Sequence, residues 1–224
     1  MMRNLQILGL TLVAALAIGA LSASMASADE FTSESQPVTL TGKSEGSDVL
    51  TITAGNTTCK ESKYKGTSIT PTTTVSVAPE YPLKTADGQQ NCTSLGFPAE
   101  IDVNGCTYLF HIGSVTAGTV DIVCPAGKEI TITANLIPNK CIIHIPPQTG
   151  LGTATYSNVG TGTTRELRVE AKLTNIKYSH TRPLGEVGLG ACTAGVGTTG
   201  SYTGKAIVTG EKDNGTEHVG IFLS

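Results

Sequence analysis

The chain has 224 residues, of which 15% are charged and 4% aromatic, with no Trp and a formal net charge of −3. Its charges are scattered without a basic stripe, which counts against nucleic acid and anionic membrane surfaces as partners. With 34 Thr and 26 Gly, the core has to be built from Val, Ile, Leu and Ala, and such a thin core calls for covalent support.

That support is visible in six cysteines, Cys59, Cys92, Cys106, Cys124, Cys141 and Cys192, all downstream of an export signal. Arg3, the apolar run Ile7 to Leu21 and the small residues Ala26-Ser27-Ala28 read as a signal peptide over 1–28, cleaved after Ala28. The run is about 15 residues, short of the roughly 18 to 20 that span a bilayer, and no later segment is longer. The reading is a secreted, extracellular protein of bacterial type with no membrane span. Its mature span has 14 basic and 18 acidic residues.

Residues 29–37 are polar and read as a flexible N-terminal arm; 38–224 read as a single β domain. Short β-branched runs follow at 48–54, 67–77, 99–103, 106–112, 119–124, 129–134, 141–145, 153–157, 165–173, 175–180, 202–211 and 216–223, separated by Gly, Pro, Asn and Asp. This spacing predicts an all-β, two-layer antiparallel β-sandwich, immunoglobulin-like or jelly-roll-like, stapled by disulfides.

Three segments carry register. Pairing residues whose numbers sum to 230 sets Tyr108 against Ile122, Phe110 against Val120 and Cys106 against Cys124 across a hairpin with its tip at Gly113 to Gly118, so a Cys106–Cys124 bond is predicted. Leu167, Val169, Ala171 and Leu173 alternate inward, and Ile176 and Tyr178 then change parity, so a bulge is expected near Thr174-Asn175. Asn214-Gly215 marks a type I′ turn that would place Ala206, Val208, Val219, Ile221 and Leu223 on one face, Glu211 opposite His218, and Ile207 opposite Phe222. Residues 181–201 lack periodicity and read as a long loop held by Cys192. Cys59 is assigned to Cys92 by proximity, and Cys141 to Cys192 because they remain.

No cluster fixes a chemistry. Gly195-Val196-Gly197-Thr198-Thr199-Gly200 matches GxGxxG but leads into a strand rather than a helix. Gly204-Lys205 is followed by Ala206, where a phosphate loop needs Ser or Thr. Ser62 and Lys65 form S-x-x-K without a helix or companion motifs. His111, His144, His180 and His218 are isolated in sequence and read as solvated sheet-face residues. Asp121 and Asp213 lie in no calcium loop. Tyr64, Tyr81, Tyr156, Tyr178 and Tyr202 are the candidates for a small carbohydrate platform, of which Tyr156, Tyr178 and Tyr202 read rather as core-edge residues. Asn56, Asn91 and Asn214 lie in N-x-T sequons. No catalytic residue, cofactor site or metal site is assigned.

From residue 104 onward, Asn104-Gly105-Cys106 with Tyr108 and Phe110, Cys124-Pro125 with Gly127 and Ile130, Cys141 with Ile143, Ile145 and Gln148, Ile176 with Tyr178, and Cys192 before Tyr202 and Gly204 resemble a group of uncharacterised exported proteins of soil actinobacteria. The resemblance covers about half of the chain and implies a secreted β-rich domain; it carries over no functional residue. The expected function is a non-enzymatic binding or structural role toward an extracellular or cell-envelope partner. Two alternatives stand beside it: an extracellular hydrolase, which would gather a histidine and a carboxylate in a cleft, and a small-ligand carrier, which would enclose an apolar cavity.

Overall fold

Thr, Val and Ile lose the fewest conformations in extended chain, and Gly, Asn and Pro between them turn it, so the described residues fold chiefly as strands, with one short 3-10 turn at Gly162–Thr164. The structure, a computed structural model, describes residues 29–68, 71–136, 139–181, 192, 195–212 and 217–224. The strands are β1 (Phe31–Ser33), β2 (Val38–Ser44), β3 (Asp48–Ile52), β4 (Gly55–Cys59), β5 (Lys63–Ser68), β6 (Thr74–Glu80), β7 (Cys92–Ser94), β8 (Phe97–Asp102) and β9 (Thr107–Ser114). They continue with β10 (Ala117–Val123), β11 (Ile130–Leu136), β12 (Asn139–Ile145), β13 (Gln148–Val159), β14 (Glu166–Thr181), β15 (Gly195–Lys212), β16 (His218–Val219) and β17 (Ile221–Leu223).

The all-β, antiparallel, disulfide-stapled class is what the structure shows. Its layers, however, are not two separate sheets. Hydrogen-bonded neighbours run β15-β2-β5-β6-β9-β10-β13-β14 and return to β15, closing one circuit. A second circuit runs β14-β12-β11-β8-β7-β4-β3-β15 and closes on β14. The two share only the long β14–β15 pair, and closure of this kind removes exposed strand edges.

The circuits part at one level of that pair. Along β15, Ser201, Tyr202 and Thr203 face β3, whereas Ala206 onward faces β2. Along β14, residues through Lys172 face β13, and Ser179 onward faces β12. Lys172 is the register partner of Thr203, so both exchanges start together. The ladder slips between Leu173 and Ile176, where Asn175 takes φ 59°. This bulge lets Leu167, Ala171 and Leu173 below it and Ile176, Tyr178 and His180 above it all point inward.

The β9–β10 register has Tyr108 opposite Ile122 and Phe110 opposite Val120, and Cys106 bonds Cys124 at its open end with Cα atoms 4.0 Å apart. Cys59 in β4 bonds its register partner Cys92 in β7, and Cys141 in β12 bonds Cys192 over Ala134 and Leu136. Each bond limits the unfolded chain by an amount worth about 3 to 4 kcal/mol in the loop-entropy treatment.

Four expectations change. The segment 29–37 contains β1, which pairs with β17 and buries Phe31 against Tyr156 in an edge-to-face contact at 5.4 Å. Glu211 does face His218, but Ile207 faces Arg168 and Lys43, because β17 leaves β15 to join β1 and sets Phe222 against Thr32. The turn at Asn214-Gly215 lies outside the described residues. Residues 195–200, read as loop, are the first part of β15. Finally, β2, β4, β5 and β7 were not marked by apolar runs; their inward positions use Thr57, Cys59, Tyr64, Cys92 and Ser94 as well as Val38 and Leu40.

Candidate functional site

Alternation on these strands sends polar residues outward and apolar ones inward, as in β6, where Val75, Val77 and Pro79 are buried and Thr74, Ser76, Ala78 and Glu80 are exposed. Among the described residues, no helix is long and apolar enough to cross a membrane. The inward side chains do not fill the space they enclose. A cavity of about 130 Å³ remains, walled by Val77, Phe110, Val120, Val169, Val208 and other aliphatic and aromatic groups of both circuits. Every residue of β9 but one is half-buried, including the inward Tyr108, Phe110 and Ile112, because the inner face of the strand borders open space.

One part of the wall is polar. Asp48 opens β3 and is only 3% exposed. Its Oδ2 accepts hydrogen bonds from Ser62 Oγ and from the Tyr64 hydroxyl at 3.0 Å, while Ser62 Oγ lies 2.8 Å from that same hydroxyl. Tyr202 places its hydroxyl 3.4 Å from that of Tyr64, and Tyr81 and Tyr108 pair their hydroxyls at 2.9 Å. Asp48 Oδ1 is buried without a hydrogen bond of sound geometry. The Tyr202 hydroxyl still lies near the carboxyl and favours its charged form. Gly204 makes this approach possible, since a Cβ there would strike both Asp48 Oδ1 and the Tyr202 hydroxyl.

Burial raises the Asp48 carboxyl above its ordinary pKa, outweighing the hydroxyls of Ser62, Tyr202 and Tyr64 that lower it. Burial likewise pushes Tyr108 up to about 12 and holds Tyr64, Tyr81 and Tyr202 well above the usual phenol range, so all four stay neutral hydrogen-bonding groups. Tyr81, Tyr108 and Tyr202 are half-buried and line the cavity.

The other sequence candidates are dispersed. Tyr64, Tyr156 and Tyr178 are buried and Tyr81 and Tyr202 line the cavity, so the five tyrosines form no outward platform. His111 Nε2 lies 2.8 Å from Asp121 Oδ2 on the outer face of β9 and β10, and Asp121 Oδ1 accepts the Gly150 N–H at 2.7 Å. His144 stands between Glu129 Oε1 at 2.7 Å and Thr181 Oγ1 at 2.9 Å, again facing outward. His180 is not a solvated residue: it is 8% exposed, lies against Tyr178 and leaves Nδ1 without a partner. His218 is exposed opposite Glu211.

In the GxGxxG segment, Gly197 is needed because a Cβ there would enter the Tyr178 ring, whose hydroxyl bonds Thr53 Oγ1 at 2.7 Å and the Thr53 N–H at 3.0 Å. Ser62 belongs to the buried Asp48 network, whereas Lys65 is exposed beside Glu80, so the S-x-x-K pair is split between opposite faces. Asn91 is 1% exposed and bonds the Glu61 and Pro82 carbonyls, which leaves no room for a glycan; Asn56 is outward on β4, and Asn214 lies outside the described residues. Among the described residues, no three His, Cys, Asp or Glu side chains converge as metal ligands would. No protein-family model, curated protein or solved structure matches the chain.

Proposed function

We propose that this is an exported, non-enzymatic binding protein that works in an oxidising space outside the membrane and holds a small, mainly apolar molecule within its β circuits. The observation that carries the reading is the apolar cavity of about 130 Å³ with one hydrogen-bonding region in its wall. Binding sites of this kind combine a hydrocarbon lining with a few polar groups that orient the ligand. Three disulfides fit an extracellular setting, and the leader-like segment 1–28 fits cleavage on export. The kinship with exported proteins of soil actinobacteria belongs to the same proposal.

The test is native mass spectrometry of the protein secreted by its own host, with solvent extraction of the purified material. One small apolar molecule per chain is expected. A protein that emerges empty and is stabilised by no small apolar compound refutes the reading.

The Thr181–His144–Glu129 series favours a second reading, an extracellular hydrolase, because it has the nucleophile, base and orienting-group order. It ranks below the first because Thr181 is exposed on an outward sheet face. Ester turnover lost in His144→Ala would favour it; equal background turnover in both proteins would remove it.

A further inference from the structure

Counting hydrogens around the polar wall narrows the occupant. Asp48 Oδ2, Ser62 Oγ and the Tyr64 hydroxyl are in mutual contact, making three edges. Ser62 and Tyr64 contribute one hydrogen each, so with an ionised Asp48 one edge would set lone pair against lone pair. A proton on Asp48 supplies the third hydrogen: the Ser62 contact, in which an ionised Asp48 Oδ2 accepts, reverses, so that Asp48 donates to Ser62, Ser62 to Tyr64, and Tyr64 back to Asp48. The 3% exposure of Asp48 favours the same neutral form, since a buried carboxylate without a cation neutralises instead.

Lys205 is the single Lys or Arg among the described residues that line the cavity, and its ammonium lies on the outer face, 4.0 Å from Glu170 Oε2. Among the described residues, the interior therefore presents no charge of either sign to an ionic ligand. Tyr81 and Tyr108 share one hydrogen bond yet own two hydroxyl hydrogens. The spare hydrogen has no other partner among the described residues, and both rings line the cavity. Volume adds the size limit, because a dry cavity of about 150 Å³ accommodates benzene.

We infer that the occupant is an uncharged molecule of about six to eight non-hydrogen atoms, chiefly hydrocarbon, with one oxygen that accepts the spare Tyr81–Tyr108 hydrogen: the class of simple phenols, cyclic alcohols and cyclic ketones. This rests on the cavity being the binding site, as proposed above.

The experiment is calorimetric titration and thermal shift of the oxidised protein with toluene, p-cresol, benzylamine and benzoate at neutral pH. The expected order is p-cresol tightest, toluene about three- to tenfold weaker, and both ions at least about tenfold weaker than p-cresol. Replacing both Tyr81 and Tyr108 by Phe should bring p-cresol down to the affinity of toluene, whereas Tyr81→Phe or Tyr108→Phe alone should keep p-cresol the tighter ligand, because the remaining hydroxyl still has a hydrogen to donate. Asp48→Asn should leave p-cresol binding in place. The ranking on the unmodified protein stands even if a variant fails to fold. Benzylamine or benzoate binding more tightly than p-cresol, or toluene binding while p-cresol is rejected, overturns the inference and leaves the carrier reading intact. Failure of all four compounds overturns both.

Discussion

Replacing Gly197 by Ala tests whether the glycine run in β15 is packing rather than loop. In an unconstrained extended site the change would stabilise the protein by about 0.4 to 1 kcal/mol through the unfolded chain. Here the added methyl would lie inside the Tyr178 ring, and the neighbouring backbone belongs to the β14–β15 ladder, with Tyr178 as the register partner of Gly197. Moving the ring breaks its hydroxyl bonds to the Thr53 N–H and Oγ1, roughly 1 kcal/mol each, and overpacks an interior in which Tyr178 is 3% exposed, roughly 1 to 3 kcal/mol more. Offset by the unfolded-state gain, the net loss is about 3 kcal/mol, or about 6 to 12 °C in Tm for a domain of this size. Guanidinium melts of the oxidised protein measure it. Gly113→Ala is the control, because its added Cβ meets nothing closer than the Ala117 carbonyl at 3.4 Å. A Gly197→Ala protein as stable as the parent would refute the reasoning.

Three further outcomes are expected. Phe31→Ala should cost about 3 to 5 kcal/mol, since the ring is 7% exposed and packs on Tyr156; a loss below about 0.5 kcal/mol in the same melts would return residues 29–37 to the status of a loose arm. Replacing both Cys106 and Cys124 by Ala should remove about 3 kcal/mol, the loop-entropy value for their separation of 18 residues, whereas an unchanged midpoint would mean that the hairpin is equally constrained without the bond. For Asp48, burial makes the folded protein hold the proton more tightly than the unfolded chain does. Its contribution is complete below the unfolded-chain pKa and falls as pH rises through the higher folded value. Stability of the parent relative to Asp48→Asn should therefore decline from about pH 4 upward, and a relative rise over that range would contradict a raised pKa.

What could be read from the chain alone was local and periodic. The β9–β10 register followed from Tyr108, Phe110 and Ile112 sharing parity against Val120 and Ile122, and the bulge at Asn175 followed from the parity change between Leu173 and Ile176. The strands that escaped notice carry inward Thr57, Ser94 and Tyr64, which hydrogen-bond inside and so break the apolar alternation. The run Gly195 to Gly200 reads as loop because glycine is a poor strand residue, and its cause, the Tyr178 ring lying across Gly197, is a partner on another strand.

Closure of the two circuits was out of reach for the same reason: it depends on β15 exchanging neighbours at Thr203 between β2 and β3, which lie far from it in sequence, at the level where β14 exchanges β13 for β12. The polar wall gathers Asp48, Ser62, Tyr64, Tyr81, Tyr108 and Tyr202 from five regions of the chain. One signal did exist. Tyr108 is in phase with Phe110 and Ile112, and Tyr202 with Ala206 and Val208, so their hydroxyls were bound inward and had to find partners there.

The central claim is that the strand circuits enclose apolar space able to hold a guest. Diffraction from crystals of the oxidised protein pressurised with xenon measures this most directly, because the gas enters dry apolar cavities and leaves packed cores empty. A xenon peak within van der Waals reach of Val77, Phe110, Val120, Val169 and Val208 is the expected result. Side chains of those residues meeting one another with no peak between them would contradict it.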